Sequence, residues 1–502
     1  MSEVCARLDG IPLAIELAAA RIQALSAEQV ASRLSDRFQL LASGDRTAPA
    51  RQQTLRAAVD WSYELLTEPE QVLLRRLSVF SGWNLEMAEQ VCADKRILAG
   101  DVLDLLAALI DKSLVSLDGE LTGHARYRLL DTIAQYAAER LAASGEEAAI
   151  RAAHRDYLLA LAEDVVAHAF VRGAPSWPAR VAQYRRIGVE LANFRSALWE
   201  CLGRADAEQG LRLCNALRAA WVAGGDLAEG AAWFDRFLAL DPALPPAGRR
   251  RALVCRAEMA YEQHDYQAAA TFAEEGLTLP RAPGQLPEPG ASRVLALVGL
   301  RAGRGDEALA RIDTAVAAAR AAGDYWEEGL ALSVRAATLG WLGRLAESAQ
   351  TFDAALDTLR DNNGWGVAQT LYGYGTLALR TGDQEAALAR YRTALALFRE
   401  LDARPEMARC LAGIGRVALA RRDLGLASAS LAESARLSLS TGQRLPVARG
   451  LEAFAQLAVL TGDLARAAQL AGAAAALRTA SQTGASAGAP RARQRLDALL
   501  EP

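Results

Sequence analysis

Lysine is almost absent from this chain. Only Lys95 and Lys112 occur among 502 residues, so 54 of the 56 basic residues are arginine. A phosphate-cradling Gly-Lys-Ser/Thr loop therefore has two candidate positions, and neither fits. Lys95 has no glycine before it, and Lys112, although followed by Ser113, is preceded by Asp111. Histidine is scarce too: His124, His154, His168 and His264 show no HExxH or paired-ligand spacing, so no metal site is expected. The six cysteines form no CxxC pair and read as reduced, buried thiols. No apolar run approaches the roughly 18 residues of a membrane span, and Glu3, Arg7 and Asp9 after Met1 do not open a signal peptide. The expectation is a soluble, cytoplasmic chain with no membrane partner. A net charge of -4 argues against a chain built mainly for nucleic acid, while 52% hydrophobic and 23% charged residues are those of a folded protein.

What the chain does have is repetition. A turn followed by a helix start recurs at Gly225-Asp226, His264-Asp265, Gly303-Arg304, Gly343-Arg344, Gly382-Asp383, Arg422-Asp423 and Gly462-Asp463, always 39 or 40 residues apart. A small residue follows in each helix (Gly230, Ala269, Ala308, Ser348, Ala387, Ala427, Ala467). Four positions later comes a mostly bulky one (Phe234, Ala273, Ile312, Phe352, Tyr391, Leu431, Ala471). A small and a large residue four apart share one helix face, where a neighbouring helix can approach closely and be gripped. The preceding helices carry small residues of their own, such as Gly375 with Ala378 and Gly415 with Ala418. Pro242 and Pro280 close the first two units.

Residues 66–145 have another rhythm. Helices are expected at Glu70–Phe80, Leu85–Cys92 and Asp101–Lys112. A strand at Leu114–Leu117 then turns at Asp118-Gly119 and returns at Tyr127–Leu129, and a helix through Tyr136 and Leu141 ends at Ser144-Gly145. Three helices and a two-stranded ribbon is the winged-helix order. Before it, residues 1–65 read as short helices with an exposed loop around Arg46, Arg51 and Arg56. After it come connecting helices broken near Pro175 and Pro178.

The repeats resemble tetratricopeptide units, in the roughly 40-residue form found in large bacterial regulators. Arg7-Leu8-Asp9-Gly10-Ile11-Pro12-Leu13-Ala14 resembles the GLPLA segment of NB-ARC-like signal-transduction ATPases with numerous domains (STAND). Ala58 to Leu66 resembles their LSYDxL segment, and Tyr127 to Ile133 sits where plant and animal relatives have MHD. The fold class implied is mainly α. It comprises a partial NB-ARC-like helical domain (1–65), a winged helix with a small β-ribbon (66–145), connecting helices (146–206), an α-solenoid of tetratricopeptide-like helix pairs (207–480), and a flexible tail with a short helix (481–502). The resemblance implies Pro12 as an adenine contact and Asp131 as a residual nucleotide-domain contact, with Leu130 in place of the MHD histidine. Without Walker A, this chain is expected to hold no cofactor and to be no enzyme. The resemblance implies that ATP or ADP is expected only with an upstream nucleotide-binding domain.

Other patterns are set aside. Gly303 to Ala308, Gly373 to Ala378 and Gly413 to Ala418 match GxGxxA, but they lie in helical repeats and not in a strand–crossover unit. Gly484 to Gly488 matches GxSxG without a histidine downstream. In the winged helix, residues 68–145 hold eight basic residues against twelve acidic ones, and the third helix carries Asp101, Asp104 and Asp111 against Lys112. Such a surface repels a duplex, so DNA is disfavoured as its partner. In tetratricopeptide arrays the first helix of each pair lines the concave groove, and the repeat phase then places Arg293, Arg301, Trp341, Tyr372, Arg380, Arg409, Arg416 and Arg449 there. Arginines with aromatic anchors suit a protein, peptide or anionic effector. The expected function is the non-catalytic interaction portion of a STAND-type switch, with self-association implied for full-length members. The alternative is a transcription regulator whose winged helix contacts DNA directly.

Overall fold

The computed structural model describes residues 55–121, 123–169, 176–241, 244–281, 288–360 and 364–482. Pro12, Arg46, Arg51, Pro175, Pro242, the GLPLA-like segment and the tail from 483 onward lie outside the described residues. The described chain falls into two compact units. One runs to Leu161 and includes Val189–Arg204; the other is Ala162–Gly188 with the residues from Ala205 on.

In the first unit, α1 (Leu55–Glu64) precedes α2 (Glu68–Leu77). Helix α2 starts two residues before the expected Glu70 because Thr67 and Glu70 form a capping box. The Thr67 amide donates to Glu70 Oε2 at 2.7 Å, satisfying a donor the helix end would otherwise leave open. Its face of Val72, Leu73, Leu74 and Leu77 is buried. Asn84 caps α3 (Leu85–Cys92) by accepting from the Met87 amide, and a 3₁₀ turn at Ala99–Asp101 leads into α4 (Val102–Asp111).

The ribbon is β1 (Ser116–Leu121) antiparallel to β2 (His124–Arg128). The expected turn at Asp118-Gly119 is instead a register irregularity inside β1, between Leu117 and Glu120. Gly119 takes φ +96° there, so the strand bulges and continues to Leu121 without reversing. Trp83 and Tyr127 exchange backbone hydrogen bonds of 2.9 and 2.8 Å, which fixes β2 against the turn before α3. Helix α5 (Asp131–Ser144) ends at Gly145 with φ +75°, as the sequence pattern predicts.

Arg56 is a third correction. It lies in α1, not in a loop, and its guanidinium meets Glu139 at 2.8 Å. Asp60, also on α1, accepts from the Tyr136 hydroxyl at 2.6 Å and from Arg140 at 2.5 Å. Arg76 is 1% exposed, and its charge is met by Asp94 (2.7 Å), Glu146 (2.9 Å) and the Cys92 carbonyl (2.7 Å). Three helices follow: α6 (Glu147–Ala169), α7 (Trp177–Val189) and α8 (Leu191–Gly203).

The second unit is built from seven antiparallel helix pairs. They are α9 (Ala207–Gly224) with α10 (Leu227–Leu240), α11 (Pro246–Glu262) with α12 (Tyr266–Thr278), and α13 (Pro289–Arg301) with α14 (Gly305–Ala321). Next come α15 (Tyr325–Trp341) with α16 (Leu345–Leu359) and α17 (Gly364–Arg380) with α18 (Gln384–Glu400). The array ends with α19 (Arg404–Ala420) and α20 (Leu424–Ser440), then α21 (Arg444–Leu460) and α22 (Leu464–Gln482). Each sequence turn falls between the two helices of a pair. The small–large pattern is buried from Gly230 and Phe234 through Ala427 and Leu431. In the last pair it slips: Ala471 is exposed, and Leu470 and Ala474 are buried in its place. Among the described residues, α22 packs on α21, the other helix of its pair.

The array curves until its beginning meets its end. Helix α9 packs on α19, and Ala223 lies against the cluster holding Tyr391, Phe398 and Leu411. Gly225 (φ +84°) approaches so closely that an added Cβ would stand 2.6 Å from Thr441 Cγ2. Helix α7 belongs to the same unit: the Trp177 indole N–H donates to Glu400 at 2.6 Å.

Candidate functional site

Curvature places the first helices of the pairs around one cavity of about 710 Å³. All eight groove residues expected from the repeat phase line it: Arg293 and Arg301 on α13, Trp341 on α15, Tyr372 and Arg380 on α17, Arg409 and Arg416 on α19, and Arg449 on α21. The regularity is visible in sequence. Glu262, Arg301, Trp341 and Arg380 each lie two residues before the turn position of their unit, and Leu330, Gln369, Arg409 and Arg449 each lie thirteen before it. Those two registers give two rings of side chains facing inward. The same count gives Glu262 and Gln369 as well, which the sequence expectation did not include. Trp326 and Trp365 were missed because they sit at the starts of their helices, outside those registers.

The cavity has two electrostatic regions. In the first, around α9, α11 and α13, charges are matched. Arg218 meets Glu258 at 2.5 Å, and Arg293 reaches both Glu258 and Glu327 (3.1 Å). Outside the lining, Arg251 meets Glu288 at 3.5 Å. Burial alone would raise the Glu258 pKa, but Arg218, Arg293 and Arg251 overcome it and hold the carboxyl below its ordinary value.

In the second region cations predominate. Arg301 donates to the Tyr261 hydroxyl at 3.3 Å, and among the described residues Arg301, Arg380, Arg416 and Arg449 form no ion pair with a carboxylate. Arg409 lies over the Tyr372 ring at 5.6 Å, with Glu406 at 3.0 Å and Glu262 at 3.7 Å. Glu406 is a weak partner for it. The side chain is 1% exposed and its Oε2 has no hydrogen-bond donor, so burial pushes its pKa up to about 8 despite Arg409. Arg380, Arg416, Arg449 and Trp341 all keep solvent access inside the lumen. Guanidiniums that are wet, unpaired and share a cavity with aromatic side chains can take carboxylate or phosphate through forked hydrogen bonds.

The other expected positions are quickly placed. Asp131 is the first residue of α5 and is exposed, and Leu130 occupies the N-cap. Lys112 is held by Glu70 at 2.5 Å, so the outward face of α4 presents Asp101, Leu103, Asp104 and Asp111. Two of the three GxGxxA matches lie within α17 and α19, and the third spans the α13–α14 turn. His154 is buried with its ring edge-on to Phe80 at 4.9 Å. Ile110, Leu105 and Ser116 are half-buried around α4 and β1. No helix of the described chain is long and apolar enough to cross a membrane.

Residues 66–142 match the winged helix-turn-helix domain family, and residues 327–400 match the tetratricopeptide repeat family. The "Putative HTH-type transcriptional regulator Rv0890c" of Mycobacterium tuberculosis is 39% identical over 339 residues, covering 65% of this chain and 37% of that protein. The "Uncharacterized protein Rv0894" of the same organism is 45% identical over 160 residues, covering 32% of this chain and 40% of that one. The chain thus spans well under half the length of these relatives. Among solved structures, a STAND protein with a tetratricopeptide repeat sensor from Pyrococcus horikoshii aligns with a TM-score of 0.49 and 15% identity, over 94% of this chain and 66% of that one. The chain carries a winged helix-turn-helix domain followed by an array of tetratricopeptide-like helix pairs.

Proposed function

We propose that the chain is the regulatory, protein-interaction portion of a STAND-type signalling protein, whose helical array captures an acidic peptide or another anionic effector in its lumen. The winged helix then relays that occupancy. The observation carrying this reading is the group of four wet guanidiniums (Arg301, Arg380, Arg416 and Arg449) that share one cavity with Trp341 and Tyr372 and, among the described residues, pair with no carboxylate. A cavity of about 710 Å³ suits a small molecule or a short peptide segment better than a folded domain. The three sequence motifs in STAND order support the family reading, and the absence of Gly-Lys-Ser/Thr supports a non-catalytic role.

The test is selection of short peptides from a random library on the whole chain. Asp- and Glu-rich sequences should be enriched, and the Arg380→Glu/Arg416→Glu double variant should lose that enrichment while keeping its helical circular dichroism. Enrichment indifferent to acid content would end this reading.

A second reading has its own support: relatives are named as HTH-type transcriptional regulators, and the winged-helix family match covers 66–142. Direct DNA contact through α4 would have to overcome Asp101, Asp104 and Asp111. Gel-shift titration of a random duplex at low salt separates the two readings: affinity that falls steeply with salt favours DNA contact, and no shift favours a protein-relay role.

A further inference from the structure

Five of the seven pairs use glycine at the turn residue, where φ is positive; the second pair uses His264, at φ +65°. An L-residue there costs on the order of 1 kcal/mol relative to glycine. Its ring is held by the Tyr266 hydroxyl, 3.2 Å from Nδ1, while Nε2 is buried with no hydrogen-bond partner. Tyr266 in turn packs on Tyr261 with ring centroids 5.4 Å apart.

Three guanidiniums from distant parts of the sequence converge near this ring. Arg301 reaches Tyr261 from α13, Arg409 reaches Glu262 from α19, and Arg449 comes from α21. Their mutual field is legible in two groups. Burial, followed by Arg449, Arg301 and Arg409, pushes the His264 pKa down to about 4. Arg449 is itself depressed, by burial and then by Arg301. Glu262 stands 3.7 Å from Arg409, and Glu406, at 3.0 Å, is drawn toward its neutral form by burial.

The contrast with the neighbouring region decides the interpretation. Where the array needs arginines only for structure, as at Arg218, Arg251 and Arg293, it supplies Glu258, Glu288 and Glu327 to match them. Around His264 the cations are gathered without equal acid. Like charges held together in a semi-enclosed site raise the free energy of the empty state and lower that of an anion-bound one.

We infer that Arg301, Arg409 and Arg449 form an oxyanion subsite that takes a multiply charged phosphate or carboxylate group, bridging the third helix pair to the sixth and seventh. This rests on the lumen reading above and adds to it the place and charge of the anchoring group. An occupant would tie together the two parts of the array that curvature brings close. Its second effect is on His264: neutralising the three guanidiniums removes the field that adds to burial in keeping the imidazole deprotonated.

His264 is therefore the reporter. The chain has four histidines, so imidazole resonances can be assigned and titrated by NMR with inorganic pyrophosphate or citrate as the probe. Saturable binding of either should raise the His264 pKa by roughly one pH unit or more. Pyrophosphate alone would identify a phosphate site, citrate alone a carboxylate site, and response to both a general oxyanion site. Arg449→Gln should raise the His264 pKa in the free chain and abolish the further response, with Arg301→Gln as the equivalent variant if the first does not fold. Arg311→Gln, at a residue that pairs with Glu307 outside the lumen, should keep the response. Failure of both anions to move His264, or an unchanged response in the Arg449 and Arg301 variants, would overturn the subsite. Acid-rich peptides could still be selected in that event, and the lumen reading would stand without it.

Discussion

Gly415 lies directly beneath Leu431: a Cβ on Gly415 would stand 2.6 Å from Leu431 Cδ2. The two helices of the sixth pair touch there with no room for a methyl group. Gly415→Ala should therefore destabilise the array by about 1–3 kcal/mol, through forced side-chain and backbone shifts. Gly413→Ala should do the same, because its Cβ would meet the Tyr391 ring at 2.8 Å. Gly450→Ala is the control. Nothing lies within 4 Å of its Cβ, so the helix-propensity gain should leave it neutral or slightly more stable. Urea unfolding of the three variants checks the order, and equal effects at Gly415 and Gly450 would contradict this packing.

His154 makes the winged-helix unit acid-sensitive. Burial depresses its pKa to about 4, against an ordinary value of 6.5. A histidine with a lowered folded-state pKa leaves the unfolded chain binding the extra proton first, so stability is lost as pH falls from 6.5 toward 4. His154→Phe should remove that part of the pH dependence. Near-ultraviolet circular dichroism of Trp83, buried in the same unit, follows the loss, and an unchanged acid limb in the variant would be the contrary result.

Glu406 acts with the opposite sign in the helical array. Its folded-state pKa of about 8 lies above the ordinary 4.5, so the folded state favours the protonated form. That stability is fully present below pH 4.5 and is lost as pH rises through 8. Glu406→Gln should melt progressively higher than the parent between pH 5 and 8, by an amount on the order of 1 kcal/mol at the alkaline end. Differential scanning calorimetry at both ends of that range is the measurement. A constant gap would mean that Glu406 does not titrate there.

Hydrogen exchange should be graded along the array, because helix pairs contact mainly their neighbours. Amides of Ala467–Ala475 in α22 should exchange before those of Gly375–Tyr391, which lie in the cluster around Tyr391 and Phe398. Uniform protection would be inconsistent with that order.

The helix pairs were readable because one constraint recurs. Each pair must turn at a residue tolerant of positive φ and present a small and then a large side chain, so seven copies reinforce a pattern that a single copy would leave ambiguous. The lumen residues followed from the same count. The β-ribbon was misread at Asp118-Gly119 because a glycine with positive φ serves a bulge as well as a hairpin turn, and two residues cannot tell which. The Glu70 start shifted because the cap at Thr67 lies outside the apolar pattern that marks the helix. Ala471 was misassigned because the inward face of α22 runs through Leu470 and Ala474, one position off the phase of the other pairs. The contact of α9 with α19 had no local signature at all: it sums small rotations over five pairs.

That last contact joins Ala207–Gly224 to Arg404–Ala420, segments separated by nearly the whole array. On a ribosome adding about 5–20 residues per second, the first pair waits on the order of ten seconds or more for the helix that covers Ala223. During that interval its inner face is open to chaperones, to nascent neighbours and to any effector already in the cell. Ribosome pausing within the intervening pairs would lengthen this exposure, so the order of synthesis sets how long that face stays uncovered.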